Sequence, residues 1–190
     1  MSAPRPRRYF VHAFTVIELL IVMSVIIVLA GLVLGTSGYV QKKGQRSRAE
    51  AEIAALSSAL ESYKADNGIY PALQATNDLT PANTDANSSQ YSEASAHLYR
   101  VLAGTDPNGG SNQKSYFSFK PQMIGGRDSS GNPTSSSFVR DPFGNSYGYS
   151  TAKNPDANPT AFTSAPGYNP TFDLWSTADS TDPRQWLKNW

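Results

Sequence analysis

Residues able to do chemistry are few in this chain, and most stand apart from one another. His12 and His97 are the only imidazoles, and there is no cysteine. That excludes a thiolate zinc site, a cysteine nucleophile and a disulfide framework. No histidine pair stands at metal-ligating spacing, and His97 lies in a segment with no patterned serine or acid partner, so it reads as a surface residue. The glycine-rich stretch Gly125-Gly126 to Ser137 (GGRDSSGNPTSSS) lacks the Lys-Ser/Thr ending of a phosphate-binding loop and opens no helix, so it reads as a plain loop. No enzyme is expected. One carboxylate is different in kind: Glu18 is the only charge in the run Phe14 to Gly35, FTVIELLIVMSVIIVLAGLVLG.

That run decides the architecture. As a helix it spans about 33 Å, enough for a bilayer core of about 30 Å. A buried helix of a soluble protein is rarely apolar on every face. An ionised carboxylate at the centre of such a helix costs about 2.5–3.5 kcal/mol, so it usually has a partner and a role; the alternative is that Glu18, five residues into the run, sits near one interface and reaches the headgroups. Ahead of the run lies MSAPRPRRYFVHA, with Arg5, Arg7 and Arg8. The apolar stretch is too long for the core of an ordinary signal peptide, and a retained membrane helix is the better reading. Arginines before the helix and Lys42, Lys43, Arg46 and Arg48 after it leave the charge asymmetry undecided. The formal net charge of +1, with only 16% charged residues, excludes the basic excess of a nucleic-acid binder.

Beyond the membrane the helix is expected to continue. Ala49, Ile53, Leu56, Leu60 and Tyr63 recur at three- and four-residue spacing, one face of a helix. Arg48, Glu50, Glu52, Glu61 and Lys64 stand between them as a solvated face. No proline interrupts Phe14 to Ile69, and Asp66-Asn67-Gly68 followed by Pro71 is a stop signal. Residues 72–114 are polar and punctuated and are not expected to hold a core, with a short helix around Ser92–Leu102. Short aromatic or β-branched strands are expected at Ser115–Phe119, Phe138-Val139, Tyr147–Tyr149 and Phe172–Ser176. Asp141-Pro142-Phe143-Gly144-Asn145 is a turn. The fold class is therefore α+β: a long N-terminal helix packed on a small antiparallel sheet with long loops.

His12-Ala13-Phe14-Thr15-Val16-Ile17-Glu18, followed by the aliphatic run, resembles the processing motif of the type IV pilin-like superfamily. The resemblance implies cleavage between Ala13 and Phe14 by a prepilin peptidase and N-methylation of Phe14. Glu18 would serve filament assembly, its carboxylate pairing with the new amine of a neighbouring subunit. The family normally has Gly before the cut, where this chain has Ala13. Three further stretches resemble the major pseudopilin of type II secretion systems: YKADNGIYP at 63–71, DPFGNSYGY at 141–149 and FDLWS at 172–176, with Trp190 matching the terminal tryptophan. The implied layout is a cleaved leader at 1–13, a membrane and filament-core helix at 14–35, its amphipathic continuation and cap at 36–71, and a loop-rich α/β head at 72–190.

That family also binds calcium in its C-terminal loop. The matching acids here are Asp179 and Asp182, but Ser180 replaces a glycine and the longer acidic loop is missing. The alternative is that both aspartates cap turns while Trp175, Trp186 and Trp190 hold the tail by packing. Calcium is thus the one cofactor to test. The function implied is a pseudopilin that polymerises into a short periplasmic filament driving protein export. Its expected partners are the prepilin peptidase, copies of itself, other pseudopilins, the inner-membrane assembly platform and membrane lipid, with no nucleic acid. The expected location is the bacterial inner membrane, single-pass, with the C-terminal domain in the periplasm. A type IV pilin or minor pilin-like subunit of a surface fibre or DNA-uptake system shares the first motif. A bitopic membrane-anchored binding module would need no peptidase.

Overall fold

The computed structural model describes residues 14–105, 114–157 and 167–190, with the side chains of residues 33–37 left aside. Helix α1 runs Val16–Asn67, close to the span expected from the absence of proline. The leader at 1–13, including Ala13, lies outside the described residues. Residues Met1–Lys42 and Lys43–Trp190 form two separate compact units.

In the first unit every described side chain of α1 is exposed. Leu20 is 62% exposed, Ile26 53% and Leu32 65%. Among the described residues no helix is long and apolar enough to cross a membrane. Side chains of the apolar run are described through Leu32, whereas in sequence it continues through Val33, Leu34 and Gly35.

In the second unit α1 turns its predicted stripe inward: Ala49, Leu56 and Leu60 are fully buried and Ile53 nearly so. The stripe packs in one core with Leu98, Leu102, Tyr147, Tyr149 and Leu174. The helix stops as its sequence demands. Gly68 takes a φ of +82° and donates its N–H to the Lys64 carbonyl at 2.7 Å, closing a left-handed cap. Tyr70 then folds back, its hydroxyl donating to Glu61 at 2.9 Å and its ring meeting Phe172 edge-on at 5.0 Å. Two residues of the expected solvated face, Glu52 and Lys64, are only half exposed. Glu52 pairs with Arg48 at 2.7 Å and accepts the Tyr147 hydroxyl at 2.9 Å, so it ties α1 to the head. Tyr147 is fully buried, and burial beside Glu52 pushes its phenol far above the ordinary value. Replacing Tyr147 by Phe removes that bond and should cost about 1 kcal/mol, read from the urea unfolding midpoint.

Helices α2 (Gln74–Asp78) and α3 (Ser89–Ala103) follow. α3 encloses the expected Ser92–Leu102 segment and ends at Gly104, φ +72°. The polar stretch 72–114 does hold a core, contrary to the sequence reading. Leu79, Ala86, Tyr91 and Ala94 form a second buried cluster with Trp175 and Trp186. Its apolar residues are too widely spaced to show a period, and the indoles that complete it come from the far end of the chain. His97, read as a surface residue, is only 8% exposed.

The strand pattern also needs correction. Ser115–Phe119 forms no strand. The N–H groups of Tyr116 and Phe117 both reach the Leu102 carbonyl, at 2.8 and 3.0 Å, satisfying an acceptor that a helix end leaves open. Its rings pack instead, Phe119 lying 5.0 Å from Tyr99. The GGRDSSGNPTSSS stretch, read as a loop, is largely a hairpin: β1 (Ile124–Arg127) pairs antiparallel with β2 (Pro133–Val139), with a register shift between Gly125 and Arg127. Serine-rich strands with exposed faces carry little apolar alternation, which hid them. The other sheet is antiparallel, in the order β3 (Gly148–Ser150), β4 (Asp173–Ser176), β5 (Leu187–Lys188). Tyr149 sits opposite Leu174 and Gly148 opposite Trp175.

Candidate functional site

At its start, α1 shows why Thr15 and Glu18 stand three residues apart. The Glu18 carboxylate accepts the Thr15 N–H at 2.9 Å and its hydroxyl at 2.8 Å. The Glu18 N–H in turn reaches the Thr15 hydroxyl at 3.3 Å. This reciprocal arrangement is a capping box, which satisfies donors that a helix N-terminus leaves open. The sequence reading missed it, although Thr-x-x-Glu before an apolar run is its signature. Phe14, just ahead, is 82% exposed. The same Glu18 thus has a local structural role on top of any role between subunits.

The DPFGN turn and the C-terminal loop meet through one buried hydrogen bond. Asp141 is 2% exposed. It accepts the N–H groups of Phe143 at 3.0 Å and Asn145 at 2.8 Å, and the Ser176 hydroxyl at 2.5 Å. Gly144 takes a φ of +104° to complete the turn. Burial pushes the Asp141 carboxyl above its ordinary range, although these hydrogen bonds pull the other way. A folded pKa above the unfolded one means the folded state holds its proton more tightly. The contribution of Asp141 to stability therefore grows as pH falls from the folded value toward the ordinary range, and is lost as pH rises through it. Asp141→Asn should flatten that dependence in urea midpoints taken across acid pH. Asp141→Ala, which strands three donors, should cost about 2–3 kcal/mol at neutral pH.

Beyond Ser176 the loop is internally bonded. Ala178 and Asp179 both sit at positive φ, 51° and 57°, in a turn closed by the Ser180 N–H on the Thr177 carbonyl at 3.0 Å. Two consecutive non-glycine residues in that region are strained and must be held by their surroundings. Asp179 lines an open cleft with Asp85, Asn87, Asn145, Thr177 and Thr181. Asp182 does not line that cleft. Its Oδ1 is taken by the Arg184 N–H at 3.0 Å and the guanidinium Nε at 3.1 Å, and Arg184 holds its carboxyl below the usual range. The two aspartates assigned to calcium are thus turned to different tasks. Among the described residues no group of three or more His, Asp or Glu side chains gathers as a metal cluster. Calcium takes about six to eight oxygens, and this donor set does not fit it: one acid already faces a cation.

A long helix capped by Thr15 and Glu18 and two small antiparallel sheets make the α+β layout expected of a pilin-like subunit. Comparison with known proteins matches part of the chain. Residues 38–110 match the family model described as type II secretion system, protein G. The chain is 36% identical over 66 residues to the type II secretion system core protein G of Pectobacterium carotovorum subsp. carotovorum, covering 35% of this chain and 42% of that protein. It is 37% identical over 65 residues to the core protein G of Klebsiella michiganensis, covering 34% and 46%. The chain thus matches somewhat under half the length of these curated relatives. No solved structure matches. The resemblance to the major pseudopilin is borne out over the matched segment, which contains YKADNGIYP. The processing motif and the DPFGN and FDLWS stretches lie outside the residues that the family model matches.

Proposed function

We propose that this chain is a pseudopilin of a type II secretion system. It is cut between Ala13 and Phe14 by a prepilin peptidase, N-methylated at Phe14, and polymerised into a short periplasmic filament that drives protein export. The observation that carries the reading is the helix start. A capped Thr15–Glu18 pair opens a helix whose described side chains from Phe14 to Leu32 are all exposed. Side chains such as Ile17, Leu20 and Ile21, each more than half exposed, need an apolar environment. Lipid before assembly and the same helices of neighbouring copies after it both provide one. The protein G match supports the branch of the superfamily.

In this reading residues 14–35 span the inner membrane and the head lies in the periplasm. Other pseudopilins and the inner-membrane assembly platform are its partners. The chain performs no catalysis; it is the substrate of the peptidase. Mass spectrometry of the amino terminus of protein taken from its native membranes tests this. A mature chain beginning at N-methyl Phe14 is the expected result, and an intact leader starting at Met1 in functional protein overturns it.

A further inference from the structure

We propose that the C-terminal loop of this chain is closed without a metal ion, by an indole and a guanidinium that occupy the groups a cation would need. The inference goes beyond the pseudopilin reading, and neither depends on the other.

A loop held by a cation needs carboxylates and main-chain carbonyls that converge on one point. Here Asp182 and several loop carbonyls are engaged by donors of the chain itself, and of the two acids only Asp179 faces the open cleft. The Ser180 carbonyl accepts the Trp186 indole N–H at 2.8 Å. The Thr177 and Asp182 carbonyls accept the N–H groups of Ser180 and Gln185, at 3.0 and 2.9 Å. The Gln185 carbonyl accepts the Arg46 guanidinium from α1 at 2.9 Å. Asp182 is neutralised by Arg184, and a guanidinium beside a carboxylate repels a second cation at that place.

The indoles replace the anchoring that a metal would give. Trp186 is 4% exposed and stacks parallel to Trp175, ring centroids 6.2 Å apart and 6° between planes. Trp175 is fully buried and donates its own N–H to the Tyr91 hydroxyl at 2.8 Å. That hydroxyl in turn donates a hydrogen bond to the Asn83 carbonyl at 2.8 Å. The loop is therefore tied at Ser180 to a tryptophan that rests on another, itself bonded to α3. This fixed backing also accounts for the strain at Ala178 and Asp179. Their positive φ angles are imposed by a turn whose two ends are held, Ser176 by Asp141 and Ser180 by Trp186.

The test is a pair of melting curves on the full chain in detergent, stripped with chelator and then given excess calcium or left without it. A ligand that binds only the folded state at about 100 times its Kd would raise Tm by several degrees. The expected result is the same Tm in both samples. Trp186→Phe keeps the stacked ring but loses the bond to Ser180, and should lower Tm by about 2–4 °C equally with and without calcium. A calcium-dependent rise in wild-type Tm overturns the proposal, whether the ion enters the cleft at Asp85 and Asp179 or elsewhere on the loop. So does a Trp186→Phe deficit that calcium repairs. Should Trp186→Phe fail to fold, the wild-type comparison decides alone.

Discussion

Gly148→Ala should destabilise the head by about 3 kcal/mol or more, among the largest effects of any single methyl in this chain. Gly148 is buried in β3 directly opposite Trp175 on β4. A Cβ built there would run into the Trp175 indole, touching Cε2, Cζ2 and Cδ2. Overpacking of a core usually costs about 1–3 kcal/mol, because neighbours shift to make room. Trp175 has nowhere to shift. It is fully buried, stacked on Trp186, edge-on to Tyr91 at 5.7 Å and to Trp190 at 5.8 Å, and fixed by its bond to Tyr91. Moving it breaks that bond and opens the second core at once. Gly125 provides the control. A Cβ there meets the Phe138 ring just as closely, but Phe138 is only half buried, at the edge of a two-stranded sheet. It can swing into solvent, so Gly125→Ala should cost about 1 kcal/mol. Urea midpoints of the two variants, measured side by side, check the contrast. Equal losses would mean that the Trp175 neighbourhood is looser than its packing indicates.

The contrast between these glycines shows what the sequence could reveal and what it hid. Signals carried within one turn or one helix period were legible. The α1 stripe, the Gly68 stop, the DPFGN turn and the strands around Tyr149 and Leu174 all follow from local spacing. Contacts made across more than 80 residues were not. Leu79 and Tyr91 sit in a stretch that is polar by composition, and only Trp175 and Trp186 turn it into a core. Likewise the aromatic run Ser115–Phe119 has strand-forming residues, yet the open carbonyl at the end of α3 captures its N–H groups before any strand can. At the candidate site the failure was of another kind. Thr15 and Glu18 belong both to the pilin-like motif and to a Thr-x-x-Glu capping box, so the motif masks the local capping chemistry.

Those two explanations of Glu18 can be separated, and the second large effect lies there. Glu18→Gln should keep the start of α1 intact and still abolish filaments. The amide oxygen of glutamine can accept the Thr15 N–H as the carboxylate does, and Glu and Gln serve equally as the third residue of a capping box. What glutamine lacks is charge. In the pseudopilin reading the carboxylate meets the new amine of Phe14 on a neighbouring copy, each charge relieving the cost of the other in an apolar surrounding. An unpaired charge costs about 2.5–3.5 kcal/mol at the centre of a membrane helix and less toward its end, where Phe14 and Glu18 lie. Every 1.4 kcal/mol is about a factor of ten in association, so each subunit contact would weaken by about a hundredfold at most. Thr15→Val provides the opposite case: it removes the capping hydroxyl, at a cost of about 1 kcal/mol to the helix start, but leaves the charge. It should assemble, with some loss of helix order at Phe14–Glu18. Electron microscopy of filaments after overproduction, with helix content by circular dichroism, reads both variants. If Glu18→Gln forms filaments as wild type does while Thr15→Val does not, Glu18 acts through the cap alone and no charge pairing between copies is needed.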